Sequence, residues 1–140
     1  MIAVRKPAEL EKMRKANKVV GDALRMIEQY VRPGVTTMEL NAILEEFIVA
    51  AGAKPSFKNY HGFPAASCMS IDEVVVHGIP SLRVLKEGEI LSVDVGAIVE
   101  GYHGDAARTF PVGKISAEKQ RLIDVTRESF FEGIKEVRAG

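Results

Sequence analysis

Residues 93–110, VDVGAIVEGYHGDAARTF, decide how the rest of the chain is read. Apolar and β-branched residues flank Glu100-Gly101, and the glycine can supply the positive φ that a two-residue hairpin loop often requires. With that loop Val99 pairs with Tyr102, and the register runs back to put Asp94 opposite Ala107. Asp105 stands two residues from Ala107 and therefore on the same face. The carboxylates become diagonal neighbours on adjacent strands, with backbone separations of roughly 7–8 Å. Any even-numbered loop preserves the shared face, whereas an odd one splits it. Two ionised carboxylates on a largely buried face repel each other and lose hydration, so a compensating positive charge is expected. A divalent cation supplies it, since carboxylate oxygens suit magnesium, manganese, iron, cobalt or zinc. The alternative is a salt bridge, for example to Arg108, or the capping of turn amides.

Around this hairpin the chain reads as helix, helix, strands, helix. Pro7 suits a first helical turn, and Leu10, Met13, Ala16, Val20, Leu24, Ile27 and Val31 recur every three or four residues up to Arg32-Pro33-Gly34. Thr36-Thr37-Met38-Glu39 offers a capping box for a second helix running through Leu40, Ile43, Leu44 and Phe47 to about Gly52. From Ala65 to Phe110 the runs SCMSI, EVVVHGI, EILSVDVGAIV and GYHGDAARTF predict strands. Ser116 predicts the cap of a last helix with Leu122, Val125, Phe130, Ile134 and Val137 as its buried stripe. VRPG at 31–34 and VRAG at 137–140 each follow a helix, a short echo of the kind an internal duplication leaves.

At 140 residues and 46% apolar, the chain fits one globular domain with a sizeable core. Nineteen basic and nineteen acidic side chains cancel, which removes long-range attraction to nucleic acid or an anionic membrane. No apolar run approaches the ~20 residues of a membrane span, and MIAVRKPAELEK lacks a signal-peptide core, so a soluble cytoplasmic protein is expected. The single cysteine, Cys68, excludes an internal disulfide and a multi-cysteine zinc site.

Two carboxylates are too few for a catalytic metal site, and three histidines are available. His103 either shares the face of Asp105 or stands partly exposed in its strand. His77 ends EVVVHGIP, placed either to reach into a cleft or to hydrogen-bond a turn carbonyl. His61 lies in the loop NYHGFP with Tyr60 and Phe63, aromatics that either line a pocket or close the core edge.

NYHGFPAASCMSIDEVVVHGIP followed by LKEGEILSVDVGAIVEGYHGDAARTF resembles the first half of a type I methionine aminopeptidase of the short bacterial form. KPAELEKMRKAN and RPGVTTMEL extend the resemblance over essentially the whole chain. It implies an α+β fold, the N-terminal half of the pita-bread (aminopeptidase/creatinase-like) architecture, with an antiparallel sheet and covering helices. It also implies that Asp94 and Asp105 are two of five protein ligands to two divalent ions (cobalt, manganese, iron or zinc), Asp105 bridging both. His77 matches the catalytic histidine that hydrogen-bonds substrate near the scissile peptide. Tyr60, Phe63 and Cys68 match the pocket for the methionine side chain, Phe63 standing where tyrosine is common. His61 and His103 receive no direct metal role.

The implied activity is that of a metal-dependent hydrolase, removing the initiator methionine from nascent polypeptides with a small second residue. Association with the ribosome is left open, a monomeric complete enzyme is implied, and neither nucleic acid nor membrane is an expected partner. In the family a second half supplies one histidine and two glutamates to the metals, and the sequence stops at Gly140 before any of them. Residues 1–140 are thus expected to form a single region, the N-terminal half of the catalytic domain with the second half absent, and to be inactive alone. A non-catalytic relative that binds peptide N-termini, or a half-domain that pairs with a second copy, are the other readings.

Overall fold

The computed structural model describes residues 4–139. Helix α1 spans Pro7–Ile27, α2 Thr37–Ala50 and α3 Ala117–Lys135; the strands are β1 Lys54–Pro55, β2 Ser67–Ile71, β3 Ile90–Val99 and β4 Tyr102–Pro111. All pairings are antiparallel, with β3 at the centre. Along one edge of β3 lie β2, from Ser67↔Val95 to Ile71↔Leu91, and β1, from Lys54↔Ile98 to Pro55↔Ala97; β4 takes the other edge.

Helices α1 and α2 cover one face of this sheet. Leu91, Val93, Val95 and Ala97, alternate residues of β3, are completely buried there with Ala16, Ile27, Leu40, Leu44 and Ile48 of the helices. The Thr36 capping box forms as the sequence requires: its hydroxyl accepts from Glu39 N–H at 3.2 Å, and Glu39 Oε2 accepts from Thr36 N–H at 2.7 Å. Asn41, buried in α2, sets the start of β2, because its Oδ1 accepts from Ala66 N–H, Ser67 N–H and Ser67 Oγ at 3.0–3.1 Å.

Glu100 and Gly101 both adopt positive φ, 50° and 83°, the signature of a type I′ turn. Lys15 and Lys12 of α1 hold the Glu100 carboxylate at 3.0 and 3.6 Å, which supports a non-glycine residue in that conformation.

Four expectations are corrected. The first helix ends at Ile27 and tightens into a 3₁₀ turn over Glu28–Tyr30, so Val31 lies beyond it. EVVVHGI forms no strand: Val74, Val75 and Val76 are 43%, 84% and 61% exposed, in a turn that begins with Asp72 at φ 48°. Among the described residues Gly78 meets the outer edge of β2, accepting from Met69 N–H at 2.8 Å, and no strand ladder forms there for the Val74–Val76 run to join. The α3 stripe exists but is not buried; Leu122, Val125, Phe130 and Ile134 are all at least 47% exposed, and Val137, 79% exposed, lies beyond the helix, which ends at Lys135. Its start is tied down where Lys119 Nζ reaches Asp72 Oδ1 and Gly88 O at 2.7 and 2.8 Å. Finally, the face expected to be largely buried is so only in part, since Asp105 and Ala107, which lie on it, are exposed in β4.

Candidate metal centre

The hairpin register is the one the turn dictates: Val99↔Tyr102, Asp94↔Ala107 and Gly96↔Asp105. Asp94 and Asp105 therefore stand diagonally on one face, opposite to that covered by α1 and α2. Cys68 of β2 pairs with Asp94 from the other side, so Cys68, Asp94 and Asp105 run across three adjacent strands.

Asp94 carries the clearest sign of an unmet requirement. Its Oδ1 is buried and has no hydrogen-bond partner, a costly state for a carboxylate oxygen. Burial first and the Asp105 carboxylate second push Asp94 up to about 6, while the charge of nearby His77 pulls it down. The alternative partner does not serve: Arg108 lies on the helix-covered face and forks onto Glu28 at 2.9 and 3.1 Å. A divalent cation fits this donor pair, because it supplies the charge and the oxygen contact that Oδ1 lacks. The set is incomplete, however. Among the described residues no group of three or more His, Cys, Asp or Glu is placed to hold a metal ion.

His77 is exposed and held at φ 59°, in a segment anchored by its neighbour. A Cβ on Gly78 would lie 2.1 Å from the Met69 carbonyl oxygen, so only glycine lets this segment lie so close to β2. Cys68 is buried, and burial, then Asp94 and Asp105, push its thiol up to about 11. It is a neutral, small apolar wall at neutral pH and not a thiolate nucleophile. Tyr60 is exposed and Phe63 half-buried, on a loop that passes over the same face at Gly96. His103 shares the face of Asp105 but its Nδ1 is engaged with Ser56 Oγ at 3.1 Å. His61 is exposed and stacks edge-on against Tyr60. Sequence reasoning passed over Gly78, Gly96 and Asn41; a glycine inside a β-rich run was the available signal for the first two.

The raised Asp94 gives a pH prediction with a fixed sign. In the metal-free chain Asp94 titrates at about 6, above the ~3.9 of an unfolded aspartate. The folded state binds the extra proton between these values, so this group's stabilisation is complete below pH ~4 and is lost as pH rises through about 6. Carboxyl carbon NMR shifts should show that midpoint, and Asp105→Asn should lower it without restoring an ordinary value, since burial remains. A midpoint near 4 in the wild type would contradict the placement of Asp94.

The antiparallel sheet covered by helices on one face is the α+β pita-bread architecture shared with solved methionine aminopeptidase and Xaa-Pro dipeptidase structures. The chain belongs to metallopeptidase family M24, whose model matches residues 11–140. It is 55% identical to a methionine aminopeptidase of Clostridium acetobutylicum, over 100% of this chain and 56% of that protein. The crystal structure of methionine aminopeptidase from Rickettsia prowazekii superposes with a TM-score of 0.98 at 41% identity, over 100% of this chain and 56% of that one. A Xaa-Pro dipeptidase from Bacillus anthracis shares the fold, with a TM-score of 0.86 at 25% identity over 98% of this chain and 37% of the other. The chain thus spans about half the length of the curated relatives it matches. The family implies divalent metal ions, and no helix in the described residues is long and apolar enough to cross a membrane.

Proposed function

We propose that residues 1–140 are the N-terminal half of a methionine aminopeptidase catalytic domain, which removes the initiator methionine from nascent chains with a small second residue. The observation that carries this reading is the partnerless, buried Asp94 Oδ1 beside Asp105 on the uncovered face. Asp94 and Asp105 would hold two divalent ions, cobalt, manganese, iron or zinc, and further ligands would be needed to complete the set. When bound, the ions supply Lewis-acid polarisation of the scissile carbonyl and acidify the attacking water.

The remaining steps belong to the chain's own groups. His77, exposed beside the carboxylates, donates a hydrogen bond to substrate near the scissile peptide. A carboxylate of the site manages the proton of the attacking water. The neutral Cys68 thiol, Phe63 and Tyr60 offer soft, apolar surface to an unbranched thioether side chain. The working place is the cytoplasm, and the complete enzyme acts as a monomer.

Calorimetry with Mn²⁺ or Co²⁺, paired with an assay of methionine release from a Met-Ala peptide by the complete metal-loaded enzyme, tests this. Metal binding that Asp94→Asn weakens about 100-fold or more, together with methionine release, supports the reading. Equal metal affinity in the variant, or release of other N-terminal residues in preference to methionine, overturns it.

A further inference from the structure

Gly96 occupies the position between the two aspartates. It follows Asp94 by two residues in β3 and pairs with Asp105 in β4, so it lies on their face. A Cβ on Gly96 would stand 2.8 Å from Phe57 Cε1, 2.8 Å from Ser56 Cβ and 3.1 Å from Ser56 Oγ. The missing side chain is what lets residues 56–57 lie directly on the sheet beside the carboxylates.

Two hydrogen bonds fasten them there: Ser56 N–H donates to Gly96 O at 2.9 Å, and Ser56 Oγ meets His103 Nδ1 at 3.1 Å. Lys58 forms an ion pair with Glu45 of α2, tying the same segment to the helical layer. Past these anchors the loop closes on itself. Asn59 N–H donates to Phe63 O at 2.8 Å, Tyr60 N–H to Phe57 O and Phe63 N–H to Tyr60 O, both at 2.9 Å. Within it Asn59, His61 and Gly62 take φ of 68°, 47° and 83°, and two left-handed non-glycine residues so close together persist only where the surroundings over-determine them.

We propose that Gly96, Ser56, Phe57 and His103 form a clamp that fixes the Tyr60–Phe63 loop at a set distance from the Asp94–Asp105 pair. This distance decides how long a substrate side chain the loop accepts, so the clamp residues are positioning residues that set specificity. The inference rests on the aminopeptidase reading and deepens it. A bulkier residue at 96 displaces Ser56, whose Cβ has no free rotation by which to escape, and the loop moves with it.

The test uses Gly96→Ala and the milder Ser56→Ala, which removes only the His103 link. Amide hydrogen exchange at Asn59, Tyr60 and Phe63 should quicken about tenfold or more in Gly96→Ala and a few-fold in Ser56→Ala, with the β3–β4 amides unchanged. On metal-loaded protein, Gly96→Ala should raise KM for a methionyl peptide about tenfold while kcat stays within about twofold, and should shift preference among unbranched side chains of different length. Loop exchange as slow as wild type in both variants, equal acceleration of the hairpin amides, or a fall in kcat with KM and preference unchanged would each overturn the clamp. If the complete enzyme binds no metal and releases no methionine, the aminopeptidase reading fails by itself, and the exchange rates still decide whether the clamp exists.

Discussion

On the aminopeptidase reading, Asp105→Asn should abolish metal-dependent release of methionine by the complete enzyme and leave the fold intact. Asn keeps the size of Asp105 and sits at an exposed position in β4, so nothing in the core is disturbed. What disappears is one of the two negative charges on which the site depends, and an amide oxygen is a far poorer ligand for a divalent cation than a carboxylate. Loss of the several kcal/mol that a Lewis acid contributes to the transition state corresponds to a rate decrease of about 10³-fold or more. The measurement is kcat/KM on a methionyl peptide across a metal titration, with circular dichroism and thermal melting as the control for folding. Near-wild-type rates at low metal concentration would show that Asp105 is not a ligand. A variant that loses activity and melts far below the wild type would show that Asp105 acts through the fold instead.

The aspartate pair was legible in the sequence because its geometry depends on local information alone. Glu100-Gly101 fixes a two-residue turn, the turn fixes the register, and the register fixes which side chains share a face. Thr36 and Glu39 were legible for the same reason, being three residues apart. The failures have a different character. EVVVHGI has strand composition, but a strand exists only where a neighbour offers a ladder, and among the described residues it is Gly78 that meets β2 there. The stripe on α3 has the right period, yet period says which face is apolar and not whether anything lies against it. Asp105 was expected on a largely buried face because the register puts it beside Asp94 there, but the register says which side chains share a face and not what covers them. Gly78, Gly96 and Gly104 matter through contacts with Met69, Ser56 and Ala16, pairings that no local pattern announces.

Gly104 carries the largest expected effect on stability, and the argument is steric. The residue lies in β4 on the face that α1 crosses, paired with the fully buried Ala97 of β3. A Cβ there would come within 2.5 Å of the Ala16 carbonyl carbon, 2.5 Å of the Asn17 nitrogen and 2.7 Å of the Ala16 oxygen. All three are helix backbone atoms, which cannot turn aside as a side chain would. Ala16 is itself completely buried, so helix and strand meet backbone to backbone at this crossing. Any side chain at 104 must lift α1 away from the sheet, and with it Val20, Leu24 and Ile27, which fill the core one to three turns further along. Gly104→Ala should therefore cost about 2–3 kcal/mol and Gly104→Val about 3–5 kcal/mol, a large part of the 5–15 kcal/mol that holds a typical domain together. At this chain length the valine variant should melt roughly 10–20 °C below the wild type. Ala107→Val, exposed in the same strand on the other face, is the control for valine in β4 and should melt close to the wild type. If Gly104→Val melts with that control, α1 does not touch the strand here, and the packing that carries the hairpin and its aspartates must be drawn differently.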